Sequence, residues 1–99
     1  MDIIISQEND AAIVNIVGRL DTVTSPELDK TVQPLLKQGA TIVLNCEKME
    51  YLSSSGLRVV LSTHKQITAL GGRLIVRNIN NEVRSVFDLT GFSFMLKIE

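Results

Sequence analysis

The 99-residue chain reads as a single α/β domain, a mixed β-sheet covered by helices in the order β-β-α-β-α-β-α-β. Three observations carry this reading. Runs rich in β-branched residues alternate with segments whose apolar residues recur at helical spacing. The first two strand-like runs are joined by a turn too short to hold a helix, which makes them antiparallel neighbours. Each later run is reached only across a helical segment, and right-handed crossovers then make the later strands largely parallel.

"DIIIS" (Asp2–Ser6) is dense in β-branched residues, "QENDA" (Gln7–Ala11) is a polar turn, and "AAIVNIVGRL" (Ala11–Leu20) is the second strand. In "TSPELDKTVQPLLKQG", Ser25 before Pro26 suits an N-cap followed by proline at the first helical position. Thr24 and Glu27 have the capping-box spacing. Leu28, Val32, Leu35 and Leu36 form the apolar stripe of this helix. Pro34 lies inside it and should bend it or loosen one turn, and Gly39 ends it. "ATIVLNC" (Ala40–Cys46) is continuously apolar, the mark of a central strand buried on both faces. From Gly56 to Leu70 the pattern is helical, with Leu57, Val60, Leu61 and Ile67 available to the core and Gly71–Gly72 as the stop. "RLIVRN" (Arg73–Asn78) is the next strand. Val83, Val86 and Phe87 mark a third helix ended by Gly91, and "FSFMLKI" (Phe92–Ile98) is a last short strand. No repeat, low-complexity tract or linker interrupts residues 1–99, so one domain is expected.

Composition narrows the function. With 44% apolar and 21% charged residues the chain suits a soluble globular domain that buries one core without staples. A formal net charge of −1, with Lys and Arg scattered and few aromatics among them, gives no electrostatic case for nucleic acid. Cys46 is the single cysteine, so it forms no internal disulfide and no Cys-pair metal site, and its apolar setting reads as a small buried hydrophobe. "MDIII" has no basic n-region, and no stretch approaches the length of a membrane span. Together these absences predict a cytoplasmic protein. No cofactor or metal is implied.

The chemistry concentrates in "YLSSSGLRVVLS" (Tyr51–Ser62), where Ser53, Ser54, Ser55 and Gly56 open a helix after the central strand. In open α/β sheets this carboxyl edge is the usual place for function. Three readings of the serines compete. As caps they are well chosen, but one cap is enough, and Gly56 in the first turn costs helix stability unless something must approach its backbone closely. As a nucleophile a serine needs a base and an orienting acid, and the G-x-S-x-G elbow is absent. His64, the only histidine, is nine residues from Ser55 on the same helix, roughly 13 Å along the axis, and reads as structural. As a phosphorylation site the position is favourable, because a helix N-terminus offers free backbone N–H groups and a positive dipole end. Arg58, three residues beyond Ser55, could reach a phosphate there.

"GRLDTVTSPEL", "YLSSSGLRVVLS" and "GGRLIVRNINNEVRSVFDLTGF", with their spacing, resemble the STAS domain family, and within it the bacterial anti-sigma factor antagonists. The resemblance covers essentially the whole chain. In that family the central motif commonly reads Asp-Ser-Ser-Gly-Leu, and the serine before the glycine is phosphorylated. Ser55 matches that serine and Ser54 the one before it, whereas Ser53 stands where the family has Asp. The Asp of Gly-x-Leu-Asp is matched by Asp21, whose loop should lie beside the serine loop, either as a binding position or only to shape a turn.

What the resemblance implies is a partner-switching module with no catalysis of its own. The unphosphorylated form would bind an anti-sigma factor serine kinase and free a sigma factor. The kinase would phosphorylate Ser55 with ATP and Mg²⁺, and a Ser/Thr phosphatase would reverse it. Asp21, Ser53, Ser54, Ser55, Gly56, Leu57 and Arg58 would then form the partner-binding surface. The alternative is a STAS scaffold that is not phosphorylated, serving a signalling complex or a lipid-transport ATPase.

Overall fold

A computed structural model of the chain describes residues 1–94 and 96–99. Five strands form one sheet in sequential order: β1 (Asp2–Glu8), β2 (Ala11–Leu20), β3 (Thr41–Leu52), β4 (Arg73–Arg77) and β5 (Lys97–Ile98). The β1–β2 pair is antiparallel and the other three pairs are parallel, as the connection lengths predict. The crossovers carry α1 (Ser25–Val32), α2 (Ser54–Ala69) and α3 (Asn81–Leu89).

All three helices lie on one face of the sheet. Leu28 and Val32 of α1, Leu57, Val60 and Ile67 of α2, and Val83 and Phe87 of α3 share one buried cluster with Val14, Ile16, Ile42, Leu44, Leu74 and Val76. On the opposite face a short buried apolar row, Ile13, Val43 and Ile75, is aligned across β2, β3 and β4, with the partly buried Ala11 against it. Val43 and Leu44 are 2% and 1% exposed, so the central strand is buried on both faces. Beside the apolar row, side-chain amides form a chain across the helix-free face. Asn78 donates to Asn45 Oδ1 (3.0 Å), Asn45 donates to Asn15 Oδ1 (2.9 Å), and Asn15 donates to the Ile4 carbonyl (2.9 Å).

Five local expectations are corrected. Pro34 does more than loosen a turn: α1 stops at Val32 and Gln33–Leu35 is a separate 3₁₀ turn, because proline has no N–H for the helical ladder. The helix opens without a capping box. Thr24 stands at the N-cap with helical dihedrals, and its hydroxyl turns back to the Arg19 carbonyl (2.8 Å). Ser25 is not the cap but the first helical residue, buried, with its hydroxyl on the Asp21 carbonyl. The central strand runs on to Leu52, since register shifts opposite Asn15/Val17 and Gly18/Arg19 let Cys46, Met49 and Leu52, three residues apart, all reach the helix-side core. Finally, the last strand is shorter than Phe92–Ile98: Phe92–Phe94 is a 3₁₀ turn and pairing covers only Lys97–Ile98. Met95 lies outside the described residues.

Candidate functional site

The carboxyl ends of β2 and β3, adjacent and parallel, bring two loops together. The first is residues 21–24, wound around the Asp21 carboxylate. Asp21 Oδ1 accepts from the backbone N–H of Val23 (3.0 Å) and of Thr24 (3.1 Å), and the Thr24 hydroxyl approaches it at 3.1 Å. The Ser25 N–H donates to the Asp21 carbonyl (2.8 Å), and the Asp21 N–H donates to Thr24 Oγ1 (2.9 Å). The Thr24 amide bond is the largest influence holding the Asp21 carboxyl below its ordinary value of 3.8. Partial burial opposes it, while the Thr24 hydroxyl, the Val23 amide and the Arg19 charge add to it. Arg19 Nε stands 3.8 Å from Asp21 Oδ2, and the same guanidinium lies over the Tyr51 ring at 4.2 Å.

The second loop is the serine run, and its three hydroxyls have three different positions. Ser53 is the N-cap of α2, in an extended conformation with its Oγ accepting from the Gly56 N–H (3.1 Å). Ser54 is exposed. Ser55 is half-buried and faces the first loop, its Oγ 3.3 Å from Thr22 Oγ1. The loops are further tied by the Ser53 N–H donating to the Leu20 carbonyl (2.9 Å). Ser54 and Ser55 are therefore the first residues of a 16-residue helix, where backbone N–H groups lack intrahelical partners.

The remaining residues expected at the site fall into two groups. Arg58 is exposed and has no ion-pair partner among the described residues, so its charge is available near Ser55. Gly56 and Leu57 are buried. The need for glycine at 56 is internal, which corrects the expectation that it makes room for a partner. A Cβ there would lie 2.7 Å from Leu20 Cγ and 3.0 Å from the Leu20 carbonyl oxygen. Leu57 packs into the helix-side core. Both residues hold the serine loop against β2.

Sequence reasoning missed Thr22 and its neighbour Val23. Val23 projects from the loop tip with 85% of its surface exposed, beside the Ser55 contact. Thr22 is 33 residues from Ser55, and no periodicity links them. The available signal was topological: adjacent parallel strands put their following loops side by side. Cys46 is buried, its thiol pushed up to about 12 by burial. His64 is half-buried on α2 with its Nδ1 enclosed. Among the described residues no three His, Cys, Asp or Glu side chains gather as a metal site, and no helix is long and apolar enough to cross a membrane.

Comparison with known proteins agrees with this architecture. The STAS domain model matches residues 2–99. The anti-sigma-B factor antagonist of Bacillus subtilis (strain 168) is 34% identical over 91 residues, spanning 92% of this chain and 83% of that protein. The anti-sigma factor antagonist SpoIIAA in its unphosphorylated form superposes with a TM-score of 0.82 at 25% identity, over 99% of this chain and 88% of that one. The Bacillus cell fate determinant SpoIIAA in its phosphorylated form does so with a TM-score of 0.76 at 24% identity, over 99% and 91%. The chain belongs to the STAS domain family.

Proposed function

We propose that this protein is an anti-sigma factor antagonist whose binding to an anti-sigma factor serine kinase is switched off by phosphorylation of Ser55. The observation that carries this reading is the placement of Ser55. Its hydroxyl stands at the open end of α2, beside a rigid loop and one helical turn from a free arginine. A phosphate there meets unpaired backbone N–H groups, the positive helix end and Arg58, so the domain can accept it without unfolding. The surface changes nonetheless, from small and neutral to bulky and strongly negative, which disfavours any partner that closes over it. Relatives named as anti-sigma-B factor antagonists, and the existence of SpoIIAA in both phosphorylated and unphosphorylated forms, support the same reading. The fold supplies the binding surface, and the transfer and removal of phosphate belong to the kinase and to a Ser/Thr phosphatase. Working in the cytoplasm, the unphosphorylated protein holds the kinase and leaves the sigma factor free.

The test is direct. The pure protein is incubated with ATP, Mg²⁺ and extract of its own cells, and phosphosites are mapped by mass spectrometry. Phosphate on Ser55 is the expected result. Phosphate confined to Ser53 or Ser54 would overturn the assignment.

A further inference from the structure

Asp21 is the residue whose loop the family resemblance places beside the serine loop, yet its carboxylate makes no hydrogen bond to that loop among the described residues. Its Oδ1 accepts from the Val23 and Thr24 amides, and its Oδ2 faces Arg19 Nε at 3.8 Å. Among the described residues, the side chain–side chain hydrogen bond joining the two loops is Thr22 Oγ1 to Ser55 Oγ, at 3.3 Å. We propose that Thr22 is a positioning residue for Ser55, holding its hydroxyl in one rotamer for phosphoryl transfer, and that Asp21 acts on Ser55 only through Thr22. This inference rests on the reading of Ser55 as the phosphate acceptor.

The physical case begins with the freedom of a serine. Its χ1 has three staggered wells of similar energy, and a side chain at a helix end can visit more than one of them. A single neutral hydrogen bond is enough to favour one well by about three- to ten-fold. That bond positions Ser55 only if its other partner is itself held, and the backbone that carries the exposed Thr22 side chain is. It lies between residues pinned by the Asp21 carboxylate and carbonyl, through the Val23, Thr24 and Ser25 amides. Thr22 is also β-branched, so its own χ1 is stiff. Whichever hydroxyl donates, the bond sets the direction of the Ser55 Cβ–Oγ bond.

Thr22 serves both states of the acceptor. In the transfer step the Ser55 Oγ–P bond forms, the bond from the γ-phosphorus to its bridging oxygen in ATP breaks, ADP leaves, and the Oγ proton passes to the kinase's general base. The product ester oxygen can no longer donate. Thr22 then serves as donor to the phosphate oxygens, beside the free amides of the helix end.

The experiment uses the full chain with two substitutions: Thr22→Val, which keeps the shape and removes the hydroxyl, and Thr22→Ser, which keeps the hydroxyl. Ser55 χ1 populations are read by NMR from three-bond couplings. Phosphate incorporation at Ser55 is followed by mass spectrometry with ATP, Mg²⁺ and cell extract, and thermal melts run alongside. Wild type and Thr22→Ser are expected to share one dominant Ser55 rotamer. Thr22→Val is expected to average over rotamers, to be phosphorylated about three- to ten-fold more slowly, and to melt as wild type does. A Thr22→Val protein with the wild-type rotamer, or with averaged rotamers and the wild-type rate, overturns the proposal. So does a Thr22→Ser protein as slow as Thr22→Val. If wild type itself takes no phosphate, the function proposed above fails, while the rotamer populations still decide whether Thr22 positions the hydroxyl.

Discussion

The Leu20 side chain fills the space that a Cβ on Gly56 would occupy, with Leu20 Cγ 2.7 Å from that position. Leu20 is fully buried at the end of β2, and its carbonyl also receives the Ser53 N–H. Neither side of the contact has an easy way to give. Gly56→Ala should therefore destabilise the domain. Overpacking of about 1–3 kcal/mol outweighs the gain of about 0.5–1 kcal/mol that alanine brings to a helix. For a domain of this size each kcal/mol moves Tm by about 4–8 °C, so calorimetry should resolve the drop. Adding Leu20→Val to Gly56→Ala should recover part of it. An unchanged Tm in Gly56→Ala would show that the loops are not packed as described.

Ser53 and Ser54 should separate cleanly by stability. Ser53→Ala removes the Oγ that accepts from the Gly56 N–H and should cost about 0.5–2 kcal/mol in urea denaturation. Ser54→Ala touches an exposed hydroxyl and should stay within about 0.5 kcal/mol of wild type. Ser53→Asp restores the residue common in the family at this position, keeps an acceptor at the cap and adds a favourable charge, so it should be at least as stable as wild type.

Most of the fold was legible because it is written in local rules. The short polar connection dictated the antiparallel pair, although pairing runs through Glu8 and Ala11 and leaves only Asn9 and Asp10 as the turn, and the helical stretches between later strands dictated the parallel ones. The misreadings came where one residue had two competing options. Thr24 could cap α1 or bond to Arg19, and the tight turn around Asp21 holds it in helical dihedrals from which it bonds to Arg19. Glu47–Leu52 looked like a connection because Met49 and Leu52 break the two-residue period, and only paired register shifts make them strand residues. At the site, Ser53 and Ser55 were visible as a cap and a candidate acceptor. The Thr22–Ser55 contact and the Leu20–Gly56 packing span more than thirty residues and depend on the register of β2 against β3, which no local pattern encodes.

Asp21 gives the loop a pH signature. Its folded-state carboxyl lies below the ordinary 3.8, led by the Thr24 amide bond, so the unfolded chain takes up the proton first as pH falls. The stabilisation from this group is therefore complete well above 3.8 and is lost as pH drops through that value toward the lower folded one. Asp21→Asn removes the charge and the linkage. In melts between pH 7 and pH 3, wild type should exceed Asp21→Asn at neutral pH, and the gap should narrow below about pH 4. A gap that stays constant across the range would mean the carboxylate charge contributes nothing to the loop.

The sharpest consequence of the proposed switch lies in Ser55→Asp and Ser55→Ala. A carboxylate at the second helical position of α2 is compatible with the positive helix end and should add about 0.3–1 kcal/mol if it changes stability at all. The fold should survive and Tm should move little. Binding to the cognate anti-sigma serine kinase should nevertheless fall sharply. A charge closed into an interface without a partner costs about 2–5 kcal/mol, which lowers affinity about thirty-fold or more. Ser55→Ala adds neither charge nor bulk. It gives up only the hydrogen bond to Thr22, and should bind within a few-fold of wild type while accepting no phosphate. Titration calorimetry of the three proteins, with melts of each, checks this. Wild-type affinity in Ser55→Asp would sink the electrostatic exclusion mechanism. Equal loss of binding in Ser55→Ala would show instead that the hydroxyl itself is a contact. With Ser55→Asp folded and silent and Ser55→Ala folded and binding, the negative charge at this one oxygen position is sufficient to separate the partners.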